Sequence, residues 1–284
     1  MRLAVLGSGS KGNASVLEAP GCRLLIDAGL SARQLCQRLA SLGIDPHSLD
    51  GILLSHEHSD HTRGLEVFLR KHRVPVFATA LTREVLSDRV GPQAEWRIFQ
   101  RGQDFEVAAI TVQAFAVPHD AVDPVGFVCR SSEGTRFGVA TDLGHVTSLV
   151  RETLRGVHGL FLEANYDQHL LEVDTKRPWS IKQRIASRHG HLSNTQACEL
   201  IGALQDDGLE TVVLGHLSSD CNTPEVATQA LRESPAAGCR LTISTQDTPT
   251  GWVAPAPAPR PALAGAGSAQ GWLFPVTEAP GNAG

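Results

Sequence analysis

The stretch LLSHEHSDHTRG (53–64) gathers His56, His58, Asp60 and His61 into six residues. Imidazole nitrogen and carboxylate oxygen are donors that hold Zn2+ or Mn2+. On an extended loop residues i and i+2 project to one side, which places His56 and His58 to share one ion. Asp60 and His61 open the following helix and point toward a second ion close by. The run is not H-E-x-x-H, because its fifth position is Asp60. Two zinc-binding histidines on one helix face are thereby excluded.

Other donors follow by position. AFAVPHD places His119, GVATD places Asp142 and VVLGH places His216, each at the end of an expected strand. Asp27 and His56 follow strands too. Open α/β sheets bind ligands outside the carboxyl ends of their strands. Five strand ends finishing in Asp or His therefore predict a site for two divalent cations, Zn2+ or Mn2+. His47, His72, His145, His158, His169 and His189 lack that setting and read as surface or helix-cap histidines.

The elements that must position these donors alternate along the chain. Short strands are expected at 3–6, 15–19 and 23–27, and a helix at 31–42 with apolar residues at 35, 39 and 42, stopped by Gly43. A buried strand at 50–55, a helix at 60–72 and a strand at 74–79 follow. The strands 108–117, 125–131 and 135–141 form a central run. Helices 146–155, 178–188, 194–205 and 224–233 then alternate with strands 157–162, 211–215 and 240–244. This mixture predicts a layered α/β fold. One domain is expected over 1–252. From 253 to 284 the chain has six prolines, no lysine and one acidic residue, which predicts a low-complexity, disordered tail. Within it GWLFPV (271–276) is a candidate docking segment.

Composition limits the class. Apolar residues make up 42% of 284, ordinary for a chain with a substantial core. No apolar run approaches the ~20 residues of a membrane helix, and the N-terminus lacks a signal-peptide core. A cytoplasmic protein without membrane association is expected. Six cysteines without any C-x-x-C suggest neither a zinc ribbon nor a disulfide scaffold. The net charge of −5 argues against wholesale attraction to nucleic acid but leaves room for a local basic groove. Such a groove is suggested by Lys176, Arg177, Lys182, Arg184 and Arg188, since no acidic residue lies between Asp174 and Glu199.

The opening GSGSKG (7–12) matches G-x-G-x-x-G, with Asp27 some way downstream. That fingerprint needs a helix to open at the third glycine. Here Pro20-Gly21 stops the chain after a few residues, too soon for a crossover helix. Asn13 after Gly12 also rules out a Walker A loop. Two readings stay open: a loop that approaches a substrate phosphate through Ser10, Lys11 and Asn13, or a plain hairpin turn. In SRHGHLSNTQA (187–197), His191 is a candidate general acid. Ser193 or Asn194 caps the next helix and is a candidate phosphate contact.

H-x-H-x-D-H at 56–61, with His119, Asp142 and His216 downstream, resembles the metallo-β-lactamase superfamily over essentially residues 1–250. GSGSKGN, SHEHSDH, ATDLG, FLEANYD, GHLSN and HLSSDCNTPE resemble in particular its YycJ-like (WalJ) group of exonucleases. The resemblance implies a four-layer αββα sandwich with metals at one edge. His56, His58 and His119 would hold one ion, Asp60, His61 and His216 the other, and Asp142 would bridge. It implies that Asp27 orients a ligand histidine, with Glu163 a further supporting carboxylate or a helix-capping acid. Histidine rather than glutamate at 58 disfavours the redox di-iron members. The implied activity is hydrolysis of DNA phosphodiesters from the 5′ end, with single strands preferred, in DNA repair. Asp60 or Asp142 would take the nucleophile's proton, and His191 would serve the leaving oxygen. The alternatives are a small-molecule ester, thioester or lactone hydrolase of the same fold and a metal-bound scaffold with little turnover.

Overall fold

The computed structural model describes residues 1–255. Two mixed sheets build it. In the first, β1 (Arg2–Gly7), β2 (Ala14–Ala19) and β3 (Cys22–Ile26) are antiparallel, and β4 (Gly51–Leu53), β5 (Val76–Ala78) and β6 (Trp96–Ile98) continue parallel to β3. In the second, β7 (Asp104–Val107), β8 (Ile110–Ala116), β9 (Val125–Ser131) and β10 (Arg136–Ala140) are antiparallel. β11 (Gly159–Glu163), β12 (Thr211–Gly215) and β13 (Arg240–Ile243) then add in parallel.

Strand alternation assigns the layers, because successive side chains point to opposite faces. Leu3, Val5, Leu24 and Ile26 face Phe127, Phe137, Phe161 and Val213 in a core between the sheets. Ala4, Leu6, Leu25 and Ile52 face the other way. They bury α1 (Ala32–Ser41), α3 (Leu65–Leu69) and α4 (Ala80–Val90) through Leu35, Leu39, Phe68, Leu86 and Val90. On the far side Leu160, Leu162, Val212 and Leu214 bury α5 (Ser148–Leu154), α8 (Asn194–Gln205) and α9 (Pro224–Arg232). Helix, sheet, sheet, helix is the four-layer sandwich expected from the sequence.

Several elements depart from expectation. The helix expected over 60–72 is two pieces, α2 (Ser59–Thr62) and α3, separated at Gly64. A Cβ at Gly64 would stand 2.0 Å from the Leu30 carbonyl oxygen, so the chain there is pressed against the loop after β3. Helix α4 was not anticipated. Its buried Thr82, Leu86 and Val90 recur every fourth residue, but exposed Leu81 and Val85 blur that stripe in the sequence. Helix α6 (Gln168–Val173) was also missed, being too short to show a period; α7 (Trp179–Ile185) falls where a helix was expected. Val253 exchanges both backbone hydrogen bonds with Leu3. From 256 onward the expected tail, including 271–276, lies outside the described residues. Among the described residues no helix is long and apolar enough to cross a membrane.

Candidate metal centre

The parallel strands end together. Ala140, Leu162 and Leu214 lie in one register row across β10, β11 and β12, so Asp142, Glu163 and His216 emerge side by side. Asp27 and His56 leave the neighbouring ends of β3 and β4. Asp27, Asp142 and His216 all adopt left-handed backbone, with φ of 59°, 54° and 54°. Such φ values are uncommon outside glycine, although Asp and His tolerate them better than most. Strain of this kind is held in place by the surrounding fold and concentrates at functional sites.

The side chains converge. Donor atoms of His56, His58 and His119 lie within 4.8 Å of one another, as do those of His56, His61 and Asp142, and those of Asp142, Glu163 and His216. His119, Asp142 and His191 form a fourth such group. Asp142 is the common member: its Oδ2 is 3.0 Å from His61 Nε2 and 3.2 Å from His216 Nδ1. Neither approach has hydrogen-bond geometry, and Asp142 Oδ2, His216 Nδ1 and His56 Nε2 are buried without a hydrogen-bond partner. Buried polar atoms are almost always satisfied. Three orphaned lone-pair donors aimed at one small volume therefore fit divalent cations. Asp60 stands at the rim, outside these groups, with Oδ2 3.7 Å from His61 Nε2.

The opposite edges of the imidazoles are fixed. His61 Nδ1 meets Asp27 Oδ2 at 2.7 Å. His119 Nδ1 meets the Gly190 carbonyl at 3.1 Å. Ser55 Oγ donates to Asp27 Oδ2 at 2.8 Å and lies 2.9 Å from His56 Nδ1. Such partners select the ring nitrogen left free to bind a cation. Ser55 was missed in the sequence, where only its position beside His56 and after a strand could have flagged it. Replacing Asp27 with Asn keeps its shape and its tolerance of positive φ but removes the charge behind His61. The expected outcome is divalent-cation affinity ~10–100-fold weaker, read by competition with a chromogenic chelator, with the fold retained.

Electrostatics follow the geometry. Burial lowers the His56 pKa, and His61 lowers it further, keeping that ring neutral as a ligand must be. Burial would lower His61 as well, but Asp142 and Asp27 outweigh it and raise its pKa well above the usual value. Burial would raise the Asp142 carboxyl, yet His216 and His61 hold it well below the usual carboxylate range.

His191 sits over this cluster, its ring centroid 5.3 Å from that of His119 and 5.1 Å from that of His216. Glu163 is 0% exposed and caps no helix. One of its oxygens accepts from Leu143 N at 2.7 Å and Leu192 N at 2.9 Å; the other is 3.0 Å from His191 Nδ1. It thereby ties the loop after Asp142 to the loop carrying His191. Burial alone would depress His191, but Glu163 outweighs it and the pKa rises to about 9.

The expected phosphate contacts need correction. Ser193 caps α8 in a reciprocal pair with Gln196, so its hydroxyl is committed. Asn194 is 3% exposed and spends its amide on Asn222. Asn13 is buried, with its amide on the Gly9 carbonyl and 3.1 Å from His61 Nε2. The glycine loop is the β1–β2 hairpin turn, and it braces the centre: Ser8 Oγ accepts from His216 N at 2.8 Å. Its Ser10 and Lys11 are exposed and line a cleft of about 370 Å³ with Leu217 and Thr223. The basic segment is largely paired: Lys176 and Arg177 reach Asp220, and Arg184 reaches Asp120.

Residues 22–217 match the beta-lactamase superfamily domain. The chain belongs to the metallo-β-lactamase superfamily, in its YycJ-like branch. It is 34% identical over 230 residues to exodeoxyribonuclease WalJ of Streptococcus pneumoniae, covering 80% of this chain and 85% of that protein. It is 32% identical over 235 residues to exodeoxyribonuclease YycJ of Bacillus anthracis, covering 82% and 88%. The metallo-beta-lactamase fold protein YhfI from Bacillus subtilis superposes with a TM-score of 0.68 at 14% identity, over 88% of this chain and 98% of that one.

Proposed function

We propose that this chain is a dinuclear-metal phosphodiesterase that removes nucleotides from DNA 5′ ends, with single strands preferred. The observation that carries the reading is the contact between buried Glu163 and half-buried His191, set over the donor cluster. A departing 3′ oxygen needs a proton, whereas a thiolate leaves without one, so a held imidazolium suits a phosphodiester better than a thioester. The exodeoxyribonucleases similar to this chain over most of its length support DNA as the substrate, and a DNA-repair role in the cytoplasm rests on the same likeness.

In this reading His56, His58 and His119 hold one cation, Asp60, His61 and His216 the other, and Asp142 serves both. When bound, two divalent cations, Zn2+ or Mn2+, supply Lewis acidity at the phosphoryl oxygens and lower the pKa of water toward neutrality. Asp60, whose side chain is 22% exposed at the rim, accepts the proton of the attacking water. Asp27 and Ser55 keep His56 and His61 in their ligating orientation. His191, held by Glu163, protonates the leaving oxygen. Ser10 and Lys11 lie open to the strand entering the cleft.

Labelled 5′-phosphorylated single-stranded DNA, the matching RNA, bis-p-nitrophenyl phosphate and a thioester, each with Mn2+ or Zn2+, test the reading. Mononucleotides released progressively from the 5′ end of DNA are expected. Turnover of the thioester alone would eliminate it.

A further inference from the structure

Helix α7 has no buried residue, and of its apolar side chains Ile185 at its end packs against a small cluster of Tyr166, Leu171 and Cys221. Its first residue, Trp179, is 68% exposed, and Ile181 and Val173 nearby in sequence are 40% and 54% exposed. Trp96 and Trp252, by contrast, pack against the apolar layer under the first sheet. An indole left in water on a helix whose far end is tied to the candidate centre calls for an occupant.

The helix is fastened by polar ties, and two of them run to the site. Arg184 Nε donates to Asp120 Oδ2 at 2.6 Å, and Asp120 directly follows His119. The carbonyl of Ile185, the last residue of α7, accepts from His191 N at 2.9 Å. Six residue steps separate Trp179 from Ile185, about 9 Å of helix, or two to three stacked nucleotides at ~3.4 Å each. The third tie, Lys182 Nζ to the Glu172 carbonyl at 2.9 Å, joins α7 to α6.

Charge selects the occupant. Lys176, Arg177 and Arg184 are paired with carboxylates. Lys182 ends on the Glu172 carbonyl and Arg188 faces His145 Nε2 at 2.9 Å, so neither is in an ion pair with a carboxylate among the described residues. An exposed aromatic on the same segment as cations that lack a carboxylate partner matches the combination that binds single-stranded nucleic acid, in which bases stack on rings and cations follow the backbone.

We propose that Trp179 is a stacking platform for a base of a single-stranded polynucleotide whose end lies at the metal centre, with Lys182 and Arg188 beside its phosphates. The inference rests on the nuclease reading and adds a residue and a direction to it: the strand leaves the centre along α7. It also accounts for single-strand preference, because a base paired within a duplex does not offer its face to an indole.

The full chain and its Trp179→Ala and Trp179→Phe variants are titrated against a fluorescein-labelled, cleavage-resistant phosphorothioate oligothymidylate, followed by anisotropy. Hydrolysis of the ordinary oligonucleotide and of bis-p-nitrophenyl phosphate is measured alongside. Trp179→Ala is expected to weaken binding and raise KM for the oligonucleotide about tenfold or more, while Trp179→Phe retains most of the affinity. Turnover of bis-p-nitrophenyl phosphate, too small to reach α7, stays unchanged in both. Equal oligonucleotide affinity in wild type and Trp179→Ala, with both still cutting DNA, would overturn the platform and leave the nuclease reading intact. A wild type that hydrolyses the small diester yet neither binds nor cuts the oligonucleotide would overturn both. Loss of a dimer in sedimentation on Trp179→Ala, with unchanged oligonucleotide binding, would assign the face to a second copy and overturn the proposal.

Discussion

Asp142→Asn is expected to lower DNA hydrolysis by about 10³-fold or more and to leave the purified protein short of divalent cation. The size of the effect follows from position. Asp142 belongs to three of the four tight donor groups, and among the described residues it is the only carboxylate in contact with both His61 and His216. Asn occupies nearly the same volume and accepts the left-handed backbone at φ 54°, so the loss is not a folding effect. The physical change is charge. A neutral amide offers one weak oxygen where a carboxylate offers two anionic ones, and the centre loses its anionic donor at the point where His61 and His216 converge. Elemental analysis alongside activity checks this. Full activity with full metal content in Asp142→Asn would contradict the whole arrangement of ligands.

The second large effect is on the proton. His191→Ala is expected to lower kcat for DNA by ~10²–10⁴-fold while the content of divalent cation matches that of the unsubstituted protein. With bis-p-nitrophenyl phosphate the loss shrinks sharply, because nitrophenolate departs without a proton. Lost metal would make His191 a ligand rather than an acid, and an equal loss on both substrates would remove it from the leaving-group step. The pH profile adds a sign. An acid whose pKa is raised to about 9 is protonated through neutrality, so kcat/KM falls only as pH climbs through the folded value. Glu163 is what raises it, against burial. Glu163→Gln therefore moves that alkaline limb to lower pH, without itself removing the imidazole. A limb that does not move would show that the Glu163–His191 contact sets no protonation state.

Other parts of the centre respond differently because they act through neighbours. Asp27 touches His61 and Ser55 and reaches a cation only through the imidazole it orients. Its removal weakens metal binding by one or two decades rather than abolishing the site. The glycine loop is similar: Ser8 carries the His216 backbone and Asn13 lies against His61, so the loop supports ligands rather than presenting phosphate contacts on all its residues.

How much of this was readable beforehand varies by element. Strands buried on both faces, such as β9, β12 and the first three, appear where the residue pattern places them, since a short apolar run bounded by turn residues is written directly into residue type. Helix α8 likewise begins at the Ser193 cap and runs to Gln205. Helix α4 did not show, because its exposed Leu81 and Val85 hide the buried stripe. The break at Gly64 depends on a carbonyl thirty-odd residues away, which no local pattern encodes.

The amino-acid sequence by itself determined the kinds of donor, their placement at strand ends and the layered α/β architecture, because strand periodicity and ligand chemistry are properties of residues and short spacings. Only the tertiary structure decided which donors meet. The register row through Ala140, Leu162 and Leu214 delivers Asp142, Glu163 and His216 to one point, which makes Glu163 the partner of His191. Packing also turned Asn13, Ser193 and Asn194 inward to satisfy buried polar groups, and left Trp179 in solvent. Contacts of that kind depend on how distant segments share space, and a linear pattern does not contain them.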